Sequence, residues 1–130
     1  MVGLVIVSHS NKIAEGVVDL AKQVAPANEG IRAAGGLEDG EIGTDPTRIM
    51  AAIEEADSGD GVVLLCDLGS AIMSAETAIE LLEDSGINIR IADAPLVEGA
   101  IMAAVQASMG SSMDEIIKAA EETRQMPKVN

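Results

Sequence analysis

The stretch that decides the fold lies at the N-terminus, where residues 2–10 read VGLVIVSHS. Val2–Val7 is almost continuously apolar, as expected of a strand that is buried on both faces of a sheet. The chain then turns polar at Ser8-His9-Ser10. A helix is predicted next, ended by Pro26, with apolar residues at helical spacing: Ile13, Val17, Leu20, Ala21 and Val24. A buried strand followed directly by an amphipathic helix is the repeating unit of an α/β fold.

The same alternation continues along the chain. Further strands are predicted over about 30–34, 61–66 and 87–92, and the last alternates Ile with polar residues, as is typical of a sheet edge. Further helices are predicted over about 46–56, 72–82, 95–109 and 112–124. The order β-α-β-α-β-α-β-α-α predicts an open, mainly parallel four-stranded sheet with helices on both faces. The expected strand order is 2-1-3-4.

Several helix ends carry local signals. Asp45 is expected to cap the second helix, whose first position is Pro46. Ser112 and Glu115 have the spacing of a capping box at the start of the last helix. Gly86 and Gly110 lie where helix C-terminal glycines are expected. We expect one domain over residues 1–124 and a loose C-terminal tail over residues 125–130.

The composition narrows the class of protein. The chain has 130 residues, 48% of them hydrophobic, yet no Phe, Trp or Tyr, so its core must be aliphatic. A formal net charge of −14 disfavours nucleic acid and anionic membranes as partners. The missing aromatics also count against single-stranded nucleic acid, whose bases need stacking platforms. A single cysteine, no leader-like N-terminus and no membrane-length apolar stretch lead us to expect a cytoplasmic protein.

The chemistry is expected beyond the C-terminal ends of the strands, where open parallel sheets bind ligands. The only histidine, His9, follows the first strand, and Asp67 follows the third. If these strands are neighbours, the two side chains face each other across the switch point. Asp67 would then accept a hydrogen bond from Nδ1–H of the imidazole and leave Nε2 free as a nucleophile. The helices that start near Ser10 and Ser70 would direct N–H groups and hydroxyls at the same space, as in phosphate sites.

Simpler explanations stay open for each of these residues. A lone histidine is often a surface or capping residue, and Ser10, Asn11 and Ser70 are first of all candidate helix caps. Gly35, Gly36 and Gly69 could serve turn geometry alone. Cys66 is expected to be a buried small hydrophobe rather than the partner of a Cys–His pair. No residue spacing suits a metal site, and the glycines fit neither the P-loop nor the dinucleotide fingerprint, so we expect no cofactor.

Four segments of the chain together resemble one known family. They are Val5–Ser10, Gly43-Thr44-Asp45, Asp67–Ala71 with Ser74–Ala78, and Ala94–Gly99. These segments resemble the phosphotransferase subunits (DhaM) of phosphoenolpyruvate-dependent dihydroxyacetone kinases, within the wider mannose-type IIA phosphocarrier family. The likeness extends to about Thr123.

The resemblance implies a phosphoryl relay. His9 would take a phosphoryl group from the phosphocarrier protein HPr and pass it to ADP on the nucleotide-binding subunit DhaL, and the third subunit, DhaK, would hold dihydroxyacetone. Asp67 matches the aspartate that hydrogen-bonds the histidine. The expected phosphate-binding and docking rim comprises Ser10, Gly36, Gly69, Ser70 and Met73. A homodimer is implied by the family, and a chain of this length is expected to use a separate donor protein.

Two other functions remain as alternatives. One is the IIA component of a mannose-type sugar-uptake system, whose members follow the aspartate with a Trp-Gly-Gly-Ser-Pro type sequence. Here Leu68–Ile72 reads LGSAI, which favours the kinase subunit. The other is a non-enzymatic module that senses a metabolite in the same crevice, although no glycine fingerprint and no aromatic side chain support it.

Overall fold

A computed structural model describes residues 1–130 of the chain. The four strands are β1 (Gly3–Ser8), β2 (Ile31–Gly35), β3 (Val62–Cys66) and β4 (Ile89–Ala92). The helices are α1 (Asn11–Val24), α2 (Pro46–Ala56), α3 (Gly69–Leu81), α4 (Leu96–Ser108) and α5 (Met113–Glu122). A 3₁₀ turn over Thr123–Gln125 follows α5. No helix combines the length and apolar character that crossing a membrane requires.

The sheet has the predicted topology. All three strand pairs are parallel and the order is β2-β1-β3-β4, so both the fold class and the 2-1-3-4 order are confirmed. Ser8 pairs with Gly35, and Val7 pairs with Cys66. The first residues after β1 and β3 therefore emerge side by side at the switch point, which is where a ligand crevice forms in such sheets.

Each face of the sheet has its own aliphatic core. Leu4 and Ile6 of β1 pack with α1, α4 and α5 on one face. Val5 and Val7 of the same strand pack with α2 and α3 on the other. Every residue of β1 and of β3 is buried, which explains why their sequences are continuous apolar runs rather than alternating ones. The rigid central pair β1–β3 thus fixes the position of the two loops that follow it.

Most of the predicted helix ends are found. The Asp45 carboxylate accepts from the N–H of Thr47 at 2.9 Å ahead of Pro46, and Ser112 with Glu115 forms the predicted capping box. Gly110 has a φ of 78°, as expected just past the end of α4. Gly86 also has a positive φ, of 80°, but it lies in the turn beyond Leu82 and does not end α3.

Some of the simpler explanations for local structure are wrong. Asn11 is the first residue of α1 and does not cap it, and Gly35 ends β2 without a positive φ. Ser70 does not cap α3: the N-cap is Leu68, no side chain caps this end, and Ser70 lies inside the first turn. Gly69 has no positive φ, and a Cβ added there would meet nothing within 4 Å, so no turn requires this glycine. The start of α3 at Gly69, three residues before the predicted apolar stripe begins, accounts for the differences at Ser70 and Gly69.

Candidate functional site

His9 and Asp67 meet at the switch point between β1 and β3. Each is the first residue after its strand, and the strand register brings their backbones together. The Nδ1 atom of His9 lies 3.0 Å from Oδ1 of Asp67. Both side chains are largely covered, with exposed fractions of 22% for His9 and 14% for Asp67. Partial burial strengthens the electrostatic contact between them, because water screens it less than at an open surface.

Four donors hold the Asp67 carboxylate. Oδ2 accepts from the Ser8 hydroxyl and from the His9 backbone N–H, both at 2.9 Å. Oδ1 accepts from the Leu68 N–H at 2.8 Å and faces His9 Nδ1. Burial alone would raise the pKa of Asp67, but these hydrogen bonds from His9, Ser8 and Leu68 stabilise the charged form and lower the pKa below its ordinary value. Asp67 is therefore an ionised acceptor at neutral pH.

An ionised Asp67 fixes the tautomer of a neutral His9. A carboxylate only accepts hydrogen bonds, so Nδ1 must carry the ring proton, and Nε2 is left with a free lone pair. Nε2 lies 2.6 Å from the Ser70 hydroxyl, which then donates to that lone pair. The site thus presents the imidazole as a nucleophile through Nε2, with one small hydroxyl in front of it.

Two helices begin at this point. The Ser10 hydroxyl accepts from the N–H of Ile13 at 3.3 Å and caps α1, as one of the sequence explanations held. The N–H groups of Gly69 and Ser70 open α3 and have no acceptor within the helix. Helix N-termini attract anions through such N–H groups and through the helix dipole. The space in front of Nε2 is therefore suited to a phosphoryl group.

The loop after β2 borders the site. Gly36 begins it with a φ of 68°, a conformation that favours glycine, so the turn explanation holds for this residue. The Gly43 N–H donates to the His9 carbonyl at 2.9 Å. Thr44 and Ser74 share a hydrogen bond of 2.6 Å, which ties the loop to α3. The loop thus braces the backbone of His9 from the side opposite Asp67's strand.

The surface beside Asp67 carries exposed apolar side chains, but only Met73 among them belongs to the predicted rim. Of the other residues of that rim, Gly36 is buried, and Ser10 and Ser70 are polar. Met73 is 70% exposed and Leu68 is 63% exposed, and neither side chain contributes to the hydrogen-bond network around His9. Ile42, in the neighbouring loop, is 72% exposed and was not singled out from the sequence. Sequence reasoning also missed Ser8 and the Thr44–Ser74 bond as parts of the site. Ser8 carried one usable signal, its position as the first polar residue after an apolar strand.

Cys66 takes no part in this chemistry. Its thiol is buried in the core formed with α2 and α3. Burial, with the neighbouring Asp67 charge, raises the pKa of Cys66 to about 12, so the reactive thiolate is not formed near neutral pH. No cluster of three or more His, Cys, Asp or Glu side chains suited to a metal ion occurs in the structure.

Comparison with known protein families identifies this arrangement. Residues 3–117 match the family model EIIA-man, described as the PTS system fructose IIA component. The chain belongs to the EIIA-man family. This is the mannose-type IIA family that the sequence resembles, and the residues that match include both strands of the switch point and the whole of the candidate site.

Curated relatives in the EIIA-man family carry the kinase-subunit name. The chain is 40% identical over 119 residues to "PEP-dependent dihydroxyacetone kinase 2, phosphoryl donor subunit DhaM" of Listeria innocua, covering 91% of this chain and 95% of that protein. It is 45% identical over 121 residues to the DhaM subunit of Escherichia coli, covering 90% of this chain. The resemblance to DhaM subunits within the EIIA-man family is thereby confirmed.

The relatives differ in length. The chain spans 26% of the length of the Escherichia coli protein, whereas it spans nearly all of the one from Listeria innocua.

Among solved structures, a crystal structure of a protein of unknown function superimposes with a TM-score of 0.79 at 36% identity. That match covers 94% of this chain and 95% of the other. The two proteins therefore share one fold over essentially the whole chain.

Proposed function

We propose that this protein is a phosphohistidine carrier that supplies the phosphoryl group to a dihydroxyacetone kinase. The observation that carries the proposal is the hydrogen bond from Nδ1–H of His9 to Asp67, which leaves the Nε2 lone pair at the mouth of the site. In the proposed reaction Nε2 attacks the phosphorus of a phosphorylated donor and displaces the donor's own nitrogen. Asp67 stabilises the positive charge that develops on the imidazole.

The proposed donor is an HPr-type phosphocarrier, and the proposed acceptor is ADP held by DhaL in a complex with DhaK. Support comes from 40% to 45% identity to proteins named as phosphoryl donor subunits of PEP-dependent dihydroxyacetone kinases. We further propose that the protein acts in the cytoplasm as a homodimer. A free, buried cysteine is in keeping with that reducing compartment.

The first experiment tests the nucleophile. The chain contains one histidine, so a phosphohistidine in this protein can only be at His9, and phosphohistidine is lost in acid and kept in alkali. Incubation with phosphoenolpyruvate, the first PTS enzyme and HPr is expected to add one phosphate by intact-mass spectrometry. His9→Ala should abolish uptake while the fold is retained, because His9 lies in a loop outside both aliphatic cores and contributes little to stability.

A matched control separates loss of the nucleophile from loss of structure. Asn88 is an exposed polar residue just before β4. It lies at the N-terminal ends of the parallel strands, whereas His9 lies at their C-terminal ends. Asn88→Ala should take up phosphate as the wild type does. Full uptake by His9→Ala would refute the proposal, and so would a wild-type protein that stays unmodified under conditions where a known IIA protein is charged.

The second experiment tests the acceptor. The phosphorylated protein is mixed either with ADP-loaded DhaL or with the IIB protein of a mannose-type transporter, and loss of label from His9 is followed. The rim beside Asp67 carries Leu68 where the transport members have an aromatic side chain, so we expect discharge to DhaL. Shape and charge at such a rim select the partner, since phosphohistidine can discharge readily to either. Discharge to IIB alone would refute the kinase assignment and leave the phosphohistidine chemistry intact.

A further inference from the structure

Ser8 occupies an unusual position for a serine. It is the last residue of β1 and is fully buried, whereas the other two buried polar residues, Asn28 and Thr123, keep 3% and 5% of their surface exposed. Its backbone carbonyl accepts from the N–H of Gly36 at 3.1 Å, so the main chain is fixed by the sheet and by the turn that follows β2. A buried hydroxyl is costly unless it is hydrogen-bonded, and here it lies directly behind the candidate site.

The two hydrogen bonds of the Ser8 hydroxyl have a defined direction. The N–H of Ser10 donates to Oγ at 3.0 Å, and an N–H cannot accept in return. Oγ also lies 2.9 Å from Oδ2 of Asp67, an ionised carboxylate that can only accept. The single hydroxyl proton of Ser8 must therefore point at Asp67. Ser8 thus links the N–H of Ser10, the N-cap residue of α1, to the Asp67 carboxylate.

This link determines how the carboxylate can turn. The Cβ–Cγ torsion of aspartate is intrinsically broad, so its plane is set by its hydrogen bonds. The other three donors to Asp67 are the backbone N–H groups of His9 and Leu68 and Nδ1 of His9. The last of these is itself the group to be oriented. Ser8 is the one side-chain donor whose residue lies in the sheet. Together with the His9 backbone N–H it occupies Oδ2, so that Oδ1 is directed at Nδ1 of His9.

We propose that Ser8 is a positioning residue that orients the Asp67 carboxylate and thereby keeps His9 in the tautomer with its proton on Nδ1. The expected effect on phosphoryl uptake rests on the proposed function. The expected effect on the His9 tautomer does not rest on it, because the tautomer can be measured in the unphosphorylated protein.

The decisive measurement is nitrogen-15 NMR of the single imidazole in Ser8→Ala. We expect the Nδ1-protonated form, dominant in the wild type, to give way to a mixture of the two tautomers. The rate constant for phosphoryl uptake at saturating donor should fall roughly ten-fold, the usual effect of losing a charge-assisted hydrogen bond, while KM for the donor stays unchanged. If the Ser8 hydroxyl only fills space at the end of β1, Ser8→Ala would change the free energy of unfolding. It would then change neither the ratio of the two His9 tautomers nor kcat relative to KM.

Two further variants keep the result interpretable. Ser108→Ala removes a part-buried hydroxyl that donates to the Val105 carbonyl at the far end of α4, and it should leave tautomer and kcat unchanged. Ser8→Cys fills the same space with a weak donor and decides the question if alanine prevents folding. It should shift the tautomer in the same direction as Ser8→Ala.

The outcomes separate this inference from the proposed function. Wild-type tautomer and kcat in a folded Ser8 variant would overturn the positioning role. Equal losses in Ser8→Ala and Ser108→Ala would overturn it as well, since general destabilisation would then explain both. A wild-type protein that takes up no phosphate would refute the proposed function, and the tautomer measurement would still decide the role of Ser8.

Discussion

Both ring nitrogens of His9 have a partner before any phosphate arrives. The Asp67 contact at Nδ1 must persist during the proposed transfer, because positive charge develops on the ring as Nε2 forms its new bond. The Ser70 contact at Nε2 must break, because its hydroxyl occupies the lone pair that attacks. Ser70 lies in the first turn of α3, so the same hydroxyl can then donate to a phosphoryl oxygen. In the proposed reaction the Asp67 contact is therefore kept and the Ser70 contact is broken.

Asp67→Asn tests the persistent contact. The amide cannot balance charge on the imidazole, and its NH₂ group can select the wrong tautomer, as in a serine-protease triad. We expect phosphoryl uptake to slow by roughly 10²- to 10⁴-fold and to remain measurable. Quench-flow with labelled donor gives the rate, and circular dichroism checks the fold. Wild-type rates in the variant would mean that Asp67 merely caps the end of β3.

The same pair of proteins tests the lowered pKa of Asp67. The folded-state pKa lies below the ordinary value of 3.8, so folding favours the ionised form. This stabilisation is fully present above the unfolded-state pKa and is lost as pH falls through the lower folded-state pKa. The difference in free energy of unfolding between wild type and Asp67→Asn should be constant near neutrality and shrink below about pH 4. Urea titrations at several pH values measure it, and a difference independent of pH would contradict the assignment.

The sequence could predict the meeting of His9 and Asp67 but not the details of their surroundings. Both residues follow strands that a doubly wound order makes neighbours, so their proximity follows from topology. The Ser8 and Ser70 hydroxyls depend instead on side-chain rotation and on the residue at which α3 begins. No periodicity in the sequence records either quantity, and the capping role expected of Ser70 was wrong for that reason.

The close approach of β2 and α1 sets the position of the His9 loop. A Cβ added at Gly35 would lie 2.6 Å from the Ser10 carbonyl and 2.8 Å from Asn11 Cα, both backbone atoms. Gly35→Ala must therefore push the start of α1 away from the sheet, and with it the residues beside His9. We expect a loss of about 1–3 kcal/mol in the free energy of unfolding and slower phosphoryl uptake.

Gly16→Ala is the matched control for Gly35→Ala. Gly16 lies on the exposed side of α1, and an added Cβ would meet nothing within 4 Å. The substitution should raise stability by about 0.5–1 kcal/mol, because alanine favours the helix, and leave uptake unchanged. Denaturant unfolding and the mass assay measure both variants. Equal behaviour of the two would show that the contact between β2 and α1 does not control the loop.

The secondary-structure elements were predictable where the core dictates them. β1 and β3 appear as continuous apolar runs because both their faces are buried, and each was predicted within one residue of its bounds. β4 is shorter than predicted, beginning at Ile89 instead of residue 87, because Ile89 pairs with Val62, the first residue of β3, and the residues before it have no strand to pair with. The extent of α5 also differs, because its last turn changes to a 3₁₀ geometry at Thr123.

Negative charge around the site is expected to attract the proposed donor protein over a long range. The formal net charge is −14, and the loop that donates Gly43 N–H to His9 also carries Glu38 and Glu41, both exposed. A donor protein should therefore meet His9 through a basic surface. Such steering raises association rates and weakens as salt screens the charges over about 10 Å at 0.1 M.

Salt dependence and charge reversal test this steering. The value of kcat/KM for phosphoryl uptake should fall roughly ten-fold between about 0.05 M and 0.5 M salt. Glu38→Lys with Glu41→Lys should slow uptake at low salt and flatten its salt dependence. Glu83→Lys with Asp84→Lys makes the same change in net charge beyond the far end of α3, about 20 Å from the site along a helix of 13 residues, and should keep most of the wild-type rate. If both pairs slow uptake equally, net charge governs the encounter and the loop has no special part in it; a rate indifferent to salt would exclude steering altogether.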